Sequence, residues 1–492
     1  MHYQSTRNPS LTATASQAVL RGIAPDGGLY MLPGFSEAQF PMERLAALSA
    51  CEISATVLAL LLPDFTQAEM TGLVQAAYRS KFETEDLTPL VQVGDRYVLE
   101  LFRGPTSAFK DIALSALPHL ITASKAKNGI QEDILILTAT SGDTGKAALE
   151  GFCDVPGTRI VVFYPNGGVS AIQKSQMVTQ KGKNVAVCAL NGNFDDAQSG
   201  VKAIFARCEA ENPLRGRARL SSANSINIGR LAPQVMYYFK AYADLLRRGR
   251  ISMGDAVDFA VPTGNFGDIL AGCIAKRMGL PAGRFICASN ANNVLSDFLH
   301  TGVYDRRRTF YKTLSPSMDI LISSNLERLL YLVSGCDGEA VAGYMRDLAS
   351  QGYYRLAPDA LSAIQAELLA GWAGDAATVA AIRRVYEAHG YLLDTHTAVA
   401  WDVAERLGGG NPMVVLATAS PYKFPSAVLC ALGGEAANGL DEFARMRRIH
   451  EITGLPIPPG LRDLEALPAL HGDVVERQDM FRYVLSKAGD AQ

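Results

Sequence analysis

The sequence predicts an α/β protein with two parallel-sheet domains, each sheet covered by helices on both faces. A mostly helical N-terminal domain precedes them, and a helical insertion interrupts the C-terminal part. Three observations carry this reading. From Lys110 to Lys202, short continuous apolar runs alternate with helix-like segments. The same alternation starts again near Asp255. The apolar runs lack the in–out alternation of a half-exposed strand, and strands buried on both faces are those of parallel sheets.

Each element follows in order. Residues 1 to 88 read as mostly helical, because 43–62 and 67–80 have helical apolar spacing and Pro63-Asp64 breaks them. Residues 87–101 read as two extended segments about a turn at Gly94-Asp95. The first alternating unit has helices at 110–128, 145–152, 170–180 and 195–212, with strands at 134–140, 159–165 and 184–190. A helix at 231–248 joins it to the second unit, which has strand 256–263, helix 268–278 and strand 284–290. Residues 325–390, rich in Ala, Leu, Glu and Arg, read as the helical insertion; 413–420 reads as a late buried strand. The tail from Pro456 is expected to wrap the surface. The domains expected are 1–95, a large domain from 96–130 and 220–430, a small one from 131–219, and a tail from 431–492.

Composition narrows the function. At 492 residues the chain is long enough for two to four domains with a large core. A net charge of −3 gives no basic surplus for nucleic acid or a membrane surface. The opening MHYQSTRNPS lacks an apolar core, so no secretory signal is expected, and ATVLALLLPDF is too short to span a bilayer. The eight cysteines form no C-x-x-C pair and read as free thiols in a reducing compartment. The seven histidines include no H-E-x-x-H, so no metal is expected.

The chemistry starts at Lys110, in ELFRGPTSAFKDIAL. A strand candidate runs into Gly104-Pro105-Thr106, and the lysine then opens an apolar helix. Burial at such a boundary lowers a lysine pKa and makes it a better amine toward a carbonyl. Two anion cradles follow. In ATSGDTGKAAL, a strand ends, the loop Ser141–Gly145 turns and a helix begins. In VPTGNFGDILAG, the loop Gly264–Asp268 does the same. Helix N-terminal N–H groups beside small residues favour an anion. Each loop alone is equally an ordinary capped helix start. A third cluster, SANSINIGRLAPQ, places Asn227 and Arg230 before an apolar helix, and a fourth, LATASPYKF, ends a strand in Thr418, Ser420 and Lys423. Read singly these are a polar loop and a strand end with a snorkelling lysine. His300 and His396 read as loop or core histidines.

Taken in order, these motifs resemble the threonine synthase family of fold-type II pyridoxal-phosphate enzymes. The resemblance spans nearly the whole chain. It also takes in YQSTR, IAPDGGLYML, SNANNVLSDFLHTGVY, SPSMDILISSNLERLL and DTHTAVA. It implies the conversion of O-phospho-L-homoserine and water to L-threonine and phosphate, by γ-elimination and β-addition. It implies pyridoxal 5'-phosphate as cofactor, with Lys110 as its Schiff-base lysine and as general acid and base. Asp143 would lie on the O3′ side, Gly264, Asn265, Phe266, Gly267 and Asp268 would cradle the phosphate, and Thr418 would meet the pyridine nitrogen. Ser141, Gly142 and Thr144 would take the substrate carboxylate side, and Asn227, Arg230 and Lys423 the substrate phosphate. A cytoplasmic monomer or homodimer acting on a small molecule is expected, with no nucleic-acid or membrane partner. A phospho-lyase giving 2-oxobutyrate and a serine/threonine dehydratase-like enzyme are the alternatives. Three departures stand out: Asn8-Pro9 where Arg-Gly is frequent, Ser420 where some members carry His, and His300 where Gln or Glu is common.

Overall fold

The structure is a computed structural model, and it describes residues 1–140, 142–433 and 439–489. Its strands, in chain order, are β1 (Tyr3–Ser5), β2 (Thr12–Ala13), β3 (Tyr30–Met31), β4 (Leu90–Val93), β5 (Arg96–Glu100), β6 (Asp133–Ala139), β7 (Thr158–Pro165), β8 (Val185–Leu190), β9 (Ala218–Ser221), β10 (Val257–Pro262), β11 (Ala282–Ser289), β12 (Val303–Asp305), β13 (Tyr353–Arg355), β14 (Leu368–Trp372), β15 (Met413–Ala417) and β16 (Asp473–Val475).

Two sheets organise the chain. The larger runs β14-β11-β10-β15-β5-β4. All its neighbours are parallel except the β4–β5 hairpin. The smaller runs β16-β8-β7-β6-β9 and is parallel throughout. The central strands β10 and β15 are buried along their whole length, as sheets covered on both faces require.

The helix Lys110–Lys127 links the two sheets. It packs on Asp143–Phe152, the helix that follows β6. Pro118 lies inside the first helix and has no N–H to offer the carbonyl of Leu114, four residues back. At that carbonyl the second helix presents Gly151, where a Cβ would stand 1.9 Å from the Leu114 oxygen. The close crossing therefore needs a glycine.

The structure departs from the sequence reading in several places. The N-terminal part contains a three-stranded antiparallel sheet, β2-β1-β3, beside its helices. The helix expected over 43–62 divides into a 3₁₀ segment, Met42–Ala47, and a helix, Ala50–Leu61, because Ser49 forms a capping box with Glu52. The helix expected over 231–248 carries a 3₁₀ turn, Ala232–Val235, containing Pro233, before Met236–Arg247. Within 325–390, LLAGW is not helical but pairs in parallel with β11 as the edge strand β14. In the tail, β16 extends the smaller sheet beside β8, and the helix Met480–Lys487 packs over it. The last two are cases of a sheet neighbour overriding weak local preference. Strand β4 lies within the segment expected as N-terminal domain, and β9 straddles the boundary expected at 219. Among the described residues, no helix is long and apolar enough to cross a membrane.

Candidate active site

The loops that carry the predicted residues leave the carboxyl ends of five parallel strands: β5, β6, β9, β10 and β15. That edge is where open α/β sheets hold ligands.

Lys110 opens its helix directly after the β5 loop, and that loop is zipped to the end of β15. The N–H of Leu101 donates to the Ala417 carbonyl at 2.9 Å, that of Phe109 to the Thr418 carbonyl at 2.8 Å, and that of Ser420 to the Ser107 carbonyl at 3.1 Å. Tyr237 donates its hydroxyl to the Phe109 carbonyl at 2.9 Å. Inside the loop, Asp111 accepts from the Thr106 N–H at 2.9 Å and from its hydroxyl at 2.5 Å. Gly104 allows this knot, since a Cβ there would lie 2.5 Å from the Asp111 Cβ. Burial pushes the Asp111 carboxyl up to about 6.

Across the cleft, Asp143 begins the helix after β6. Its carboxylate accepts from Lys423 Nζ at 2.8 Å and from Gln173 Nε2 at 3.0 Å, and Lys110 Nζ stands at 3.8 Å. Burial alone would raise this carboxyl, but Lys423 and Lys110 together hold it well below the usual carboxylate range. Lys423, whose side chain is 0% exposed, also donates to the Thr106 carbonyl at 3.0 Å. Lys110 is lowered, first by burial and then by the nearby charges of Lys423 and Arg230, against the opposing pull of Asp143.

Arg230 is buried, and it donates through Nη1 to the Ala223 carbonyl at 2.5 Å. Its Nε has no partner, and burial pushes its pKa down to about 10. Asn227 caps the short helix Ile228–Leu231: its Oδ1 accepts from the Gly229 N–H at 2.8 Å. Its Nδ2 donates to the carbonyls of Val19 at 2.9 Å and Ser222 at 3.4 Å. Both ends of this amide are thus engaged by the protein.

The loop after β10 is held from behind. Ser323 donates its hydroxyl to the Gly264 carbonyl at 2.8 Å, and Asn325 donates to the Asn265 carbonyl from its backbone at 3.1 Å and from Nδ2 at 3.0 Å. A trans peptide sets its N–H opposite its C=O. Pinning these two carbonyls on one side aims the N–H groups of Asn265 and Phe266 to the other. Phe266 sits at φ 62, in the left-handed region, and Gly267 starts the helix Gly267–Arg277. No described residue accepts from the N–H groups of Asn265, Phe266 or Gly267. Burial pushes Asp268, in the first turn of that helix, up to about 7; its Oδ2 has no partner.

The arrangement suits an anionic cofactor. Two cations, Lys110 and Lys423, flank one strongly ionised carboxylate, Asp143, and a third, Arg230, lies close enough to lower the pKa of Lys110. Buried atoms without partners gather on or beside the same loops: Ser107 Oγ, Gln176 Oε1, Arg230 Nε and Gln234 Oε1. The unpaired N–H groups at a helix start are the donors a phosphate takes. These residues fit pyridoxal phosphate, with Lys110 as the amine. Thr418 is buried at the end of β15, Thr144 is half-buried in the first turn after Gly142, and Ser141 lies outside the described residues. Gly142 has φ 142, and a Cβ there would strike the Gln173 amide at 2.4 Å.

Sequence reading missed Gln173, Gln176 and Asn325. Only Gln173 carried a signal, as the fourth residue of the capping box begun by Ser170. His300 bonds to its own helix through Nδ1 and the Ser296 carbonyl at 2.7 Å, away from these groups. His396 is buried against Asp394 at 2.9 Å and accepts from the Ser317 N–H at 3.1 Å. Ser420 is buried and caps the turn Pro421–Lys423.

Comparison with known proteins points to the same cofactor. A family described as pyridoxal-phosphate-dependent enzymes matches residues 83–419. A threonine synthase N-terminal family matches residues 2–78, and a threonine synthase C-terminal family matches 397–474. The chain is 37% identical to human threonine synthase-like 1 over 485 residues, 94% of this chain but 62% of that relative, so it spans about six-tenths of such relatives' length. It is also 37% identical to threonine synthase of Pseudomonas aeruginosa over 484 residues, 96% of this chain and 99% of the relative. A crystal structure of pyridoxal-phosphate-bound threonine synthase from Brucella melitensis superposes with a TM-score of 0.88 at 40% identity, covering 100% of both chains. Matched over its N-terminal, central and C-terminal parts, the chain belongs to the threonine synthase family of pyridoxal-phosphate-dependent enzymes.

Proposed function

We propose that the protein converts O-phospho-L-homoserine and water to L-threonine and phosphate. One observation carries the reading: Lys110 and Lys423 flank the ionised Asp143, and Arg230, whose Nε has no partner, lies close enough to lower the pKa of Lys110, beside a separate set of free N–H groups at Asn265–Gly267. Such a cleft has room in its charge balance for two anions, a cofactor phosphate and a substrate phosphate. Membership of the family supports the same substrate.

In this reading Lys110 carries the cofactor, and the loop Gly264–Asp268 holds its phosphate. Thr418 meets the pyridine nitrogen and Asp143 the O3′ side. Bound there, pyridoxal phosphate supplies an electron sink next to the substrate amino group. Ser141, Gly142 and Thr144 orient the substrate carboxylate. Arg230 and Lys423 hold its phosphate, while Asn227, already engaged as a cap, places Arg230. The lowered pKa of Lys110 gives Nζ a larger neutral fraction near pH 7, so it takes the Cα proton, releases it, and is then free to take the Cβ proton. Phosphate leaves Cγ, which gains a proton. Water adds its hydroxyl at Cβ, its other proton ends on the released phosphate, and Lys110 returns a proton to Cα. Both sheets contribute to both sides, with the cofactor-phosphate loop after β10 of the larger sheet and the substrate-carboxylate loop after β6 of the smaller, in a cytoplasmic monomer or homodimer.

Product analysis tests this. Purified protein with pyridoxal phosphate and O-phospho-L-homoserine is expected to release threonine and phosphate in equal amounts. Phosphate with 2-oxobutyrate and ammonia would instead assign a phospho-lyase. Equal turnover of unphosphorylated serine would assign a dehydratase-like enzyme.

A further inference from the structure

Arg328 lies in the helix Leu326–Val333, and no role in the site has been given to it above. Its side chain is fully buried, and burial pushes its pKa down to about 10. No carboxylate among the described residues pairs with it directly; the neighbouring Glu327 is bound to Arg7 at 2.8 Å. Burying a charge without a direct counterion is costly, and an apolar side chain would fill the space at less cost. What an apolar side chain cannot do is hold three acceptors in one plane, and here the guanidinium fork does so. Nε donates to the Tyr30 carbonyl at 3.0 Å, Nη2 to the Ile226 carbonyl at 2.5 Å, and Nη1 to Asn325 Oδ1.

Two of those acceptors lead into the site. Asn325 is the residue that pins the Asn265 carbonyl. An amide can turn over and exchange its oxygen and nitrogen; with Oδ1 claimed by Arg328, Nδ2 must face Asn265. Ile226 belongs to the polar loop that ends in Asn227 and Arg230. The third acceptor, Tyr30, lies in β3 of the N-terminal sheet. That sheet's neighbourhood grips the same loop elsewhere, through Asn227 to the Val19 carbonyl and Ser221 Oγ to the Leu20 carbonyl at 3.1 Å.

We propose that Arg328 is a positioning residue that fixes the cofactor-phosphate loop and the Arg230 loop relative to each other, using the N-terminal sheet as the anchor. The proposal rests on the assignment of Gly264–Asp268 and Arg230 to two anions. It makes the N-terminal part a component of the site, and it predicts that one substitution, touching neither anion, loosens both.

The test uses the full-length protein in four forms. In Arg328→Met, the dissociation constant for pyridoxal phosphate and the KM for O-phospho-L-homoserine are each expected to rise tenfold or more. Arg328→Lys keeps the charge but not the fork, so both constants rise there too; it carries the test if Arg328→Met does not fold. Arg7→Met breaks the adjacent pair with Glu327 and touches neither loop, so it lowers the melting temperature while both constants stay within twofold. Gly267→Val checks the loop assignment itself. The proposal is overturned if both constants stay at wild-type values in the Arg328 variants, or if Arg7→Met raises them equally for the same loss of melting temperature. Unchanged cofactor affinity in Gly267→Val would overturn the loop assignment and the proposal with it.

Discussion

Asp268 offers the sharpest physical prediction, because its surroundings set two effects against each other. It lies in the first turn of the helix Gly267–Arg277, where the helix N-terminus favours a carboxylate. It is also buried, with Oδ2 unpartnered and Oδ1 3.3 Å from a Tyr238 hydroxyl that donates mainly to the Asp268 carbonyl at 2.7 Å. Burial wins and moves the carboxyl from 3.8 to about 7. The native protein therefore holds a proton that the unfolded chain has already released, so stability falls as pH rises from near 4 to near 7. At about 1.4 kcal/mol per pH unit, the full penalty is on the order of 4 kcal/mol. Asp268→Asn keeps the shape and removes the titration. Urea unfolding of cofactor-free protein should show the variant gaining on wild type by roughly 3 kcal/mol between about pH 5 and about pH 8. Phosphate on the neighbouring N–H groups would raise the carboxyl further, so cofactor affinity should weaken with rising pH more in wild type than in the variant. Parallel stability profiles would refute the reasoning, since they would mean that Asp268 ionises normally in the folded protein.

Three further outcomes are expected. Lys110→Ala should cut turnover by roughly four to six orders of magnitude without altering the melting temperature much, and borohydride reduction of wild type should fix the cofactor to Lys110 and to no other lysine. Arg230→Leu should raise the KM for O-phospho-L-homoserine roughly ten- to a hundredfold, the loss of one charge-assisted contact worth about 1.5–3 kcal/mol, and unchanged kinetics would remove Arg230 from the substrate site. Gly151→Ala, far from the chemistry, puts a methyl 1.9 Å from the Leu114 carbonyl and should lower stability by about 1–3 kcal/mol, read as a fall in melting temperature; an unchanged melting temperature would show that the two helices part freely.

Much of this molecule was legible in its sequence wherever local pattern and tertiary role agreed. The strands β6, β7, β8, β10 and β11 appear as continuous apolar runs because both faces of each are covered. Lys110 and the loop Gly264–Asp268 stand out because a strand–loop–helix start leaves a local signature of small residues. The rest depends on partners far away in the chain. LLAGW becomes a strand only because β11 lies beside it, and DVV only because β8 does. Asn325 and Arg328 serve the site through Asn265 and Ile226, contacts across 60 and 102 residues that no spacing rule reveals. Asn227 was legible as polar and near an arginine, but its engagement with Val19, 208 residues away, was not.

The most direct test of the proposed reaction is turnover of O-phospho-L-homoserine in ¹⁸O-enriched water. If Lys110 moves protons at Cα and Cβ while the phosphate leaves with its bridging oxygen, the label must enter the carbon product. The prediction is threonine carrying one ¹⁸O on Cβ and phosphate carrying none. Unlabelled homoserine with ¹⁸O in the phosphate would contradict it, by showing that water attacks phosphorus and that the cleft only hydrolyses the ester.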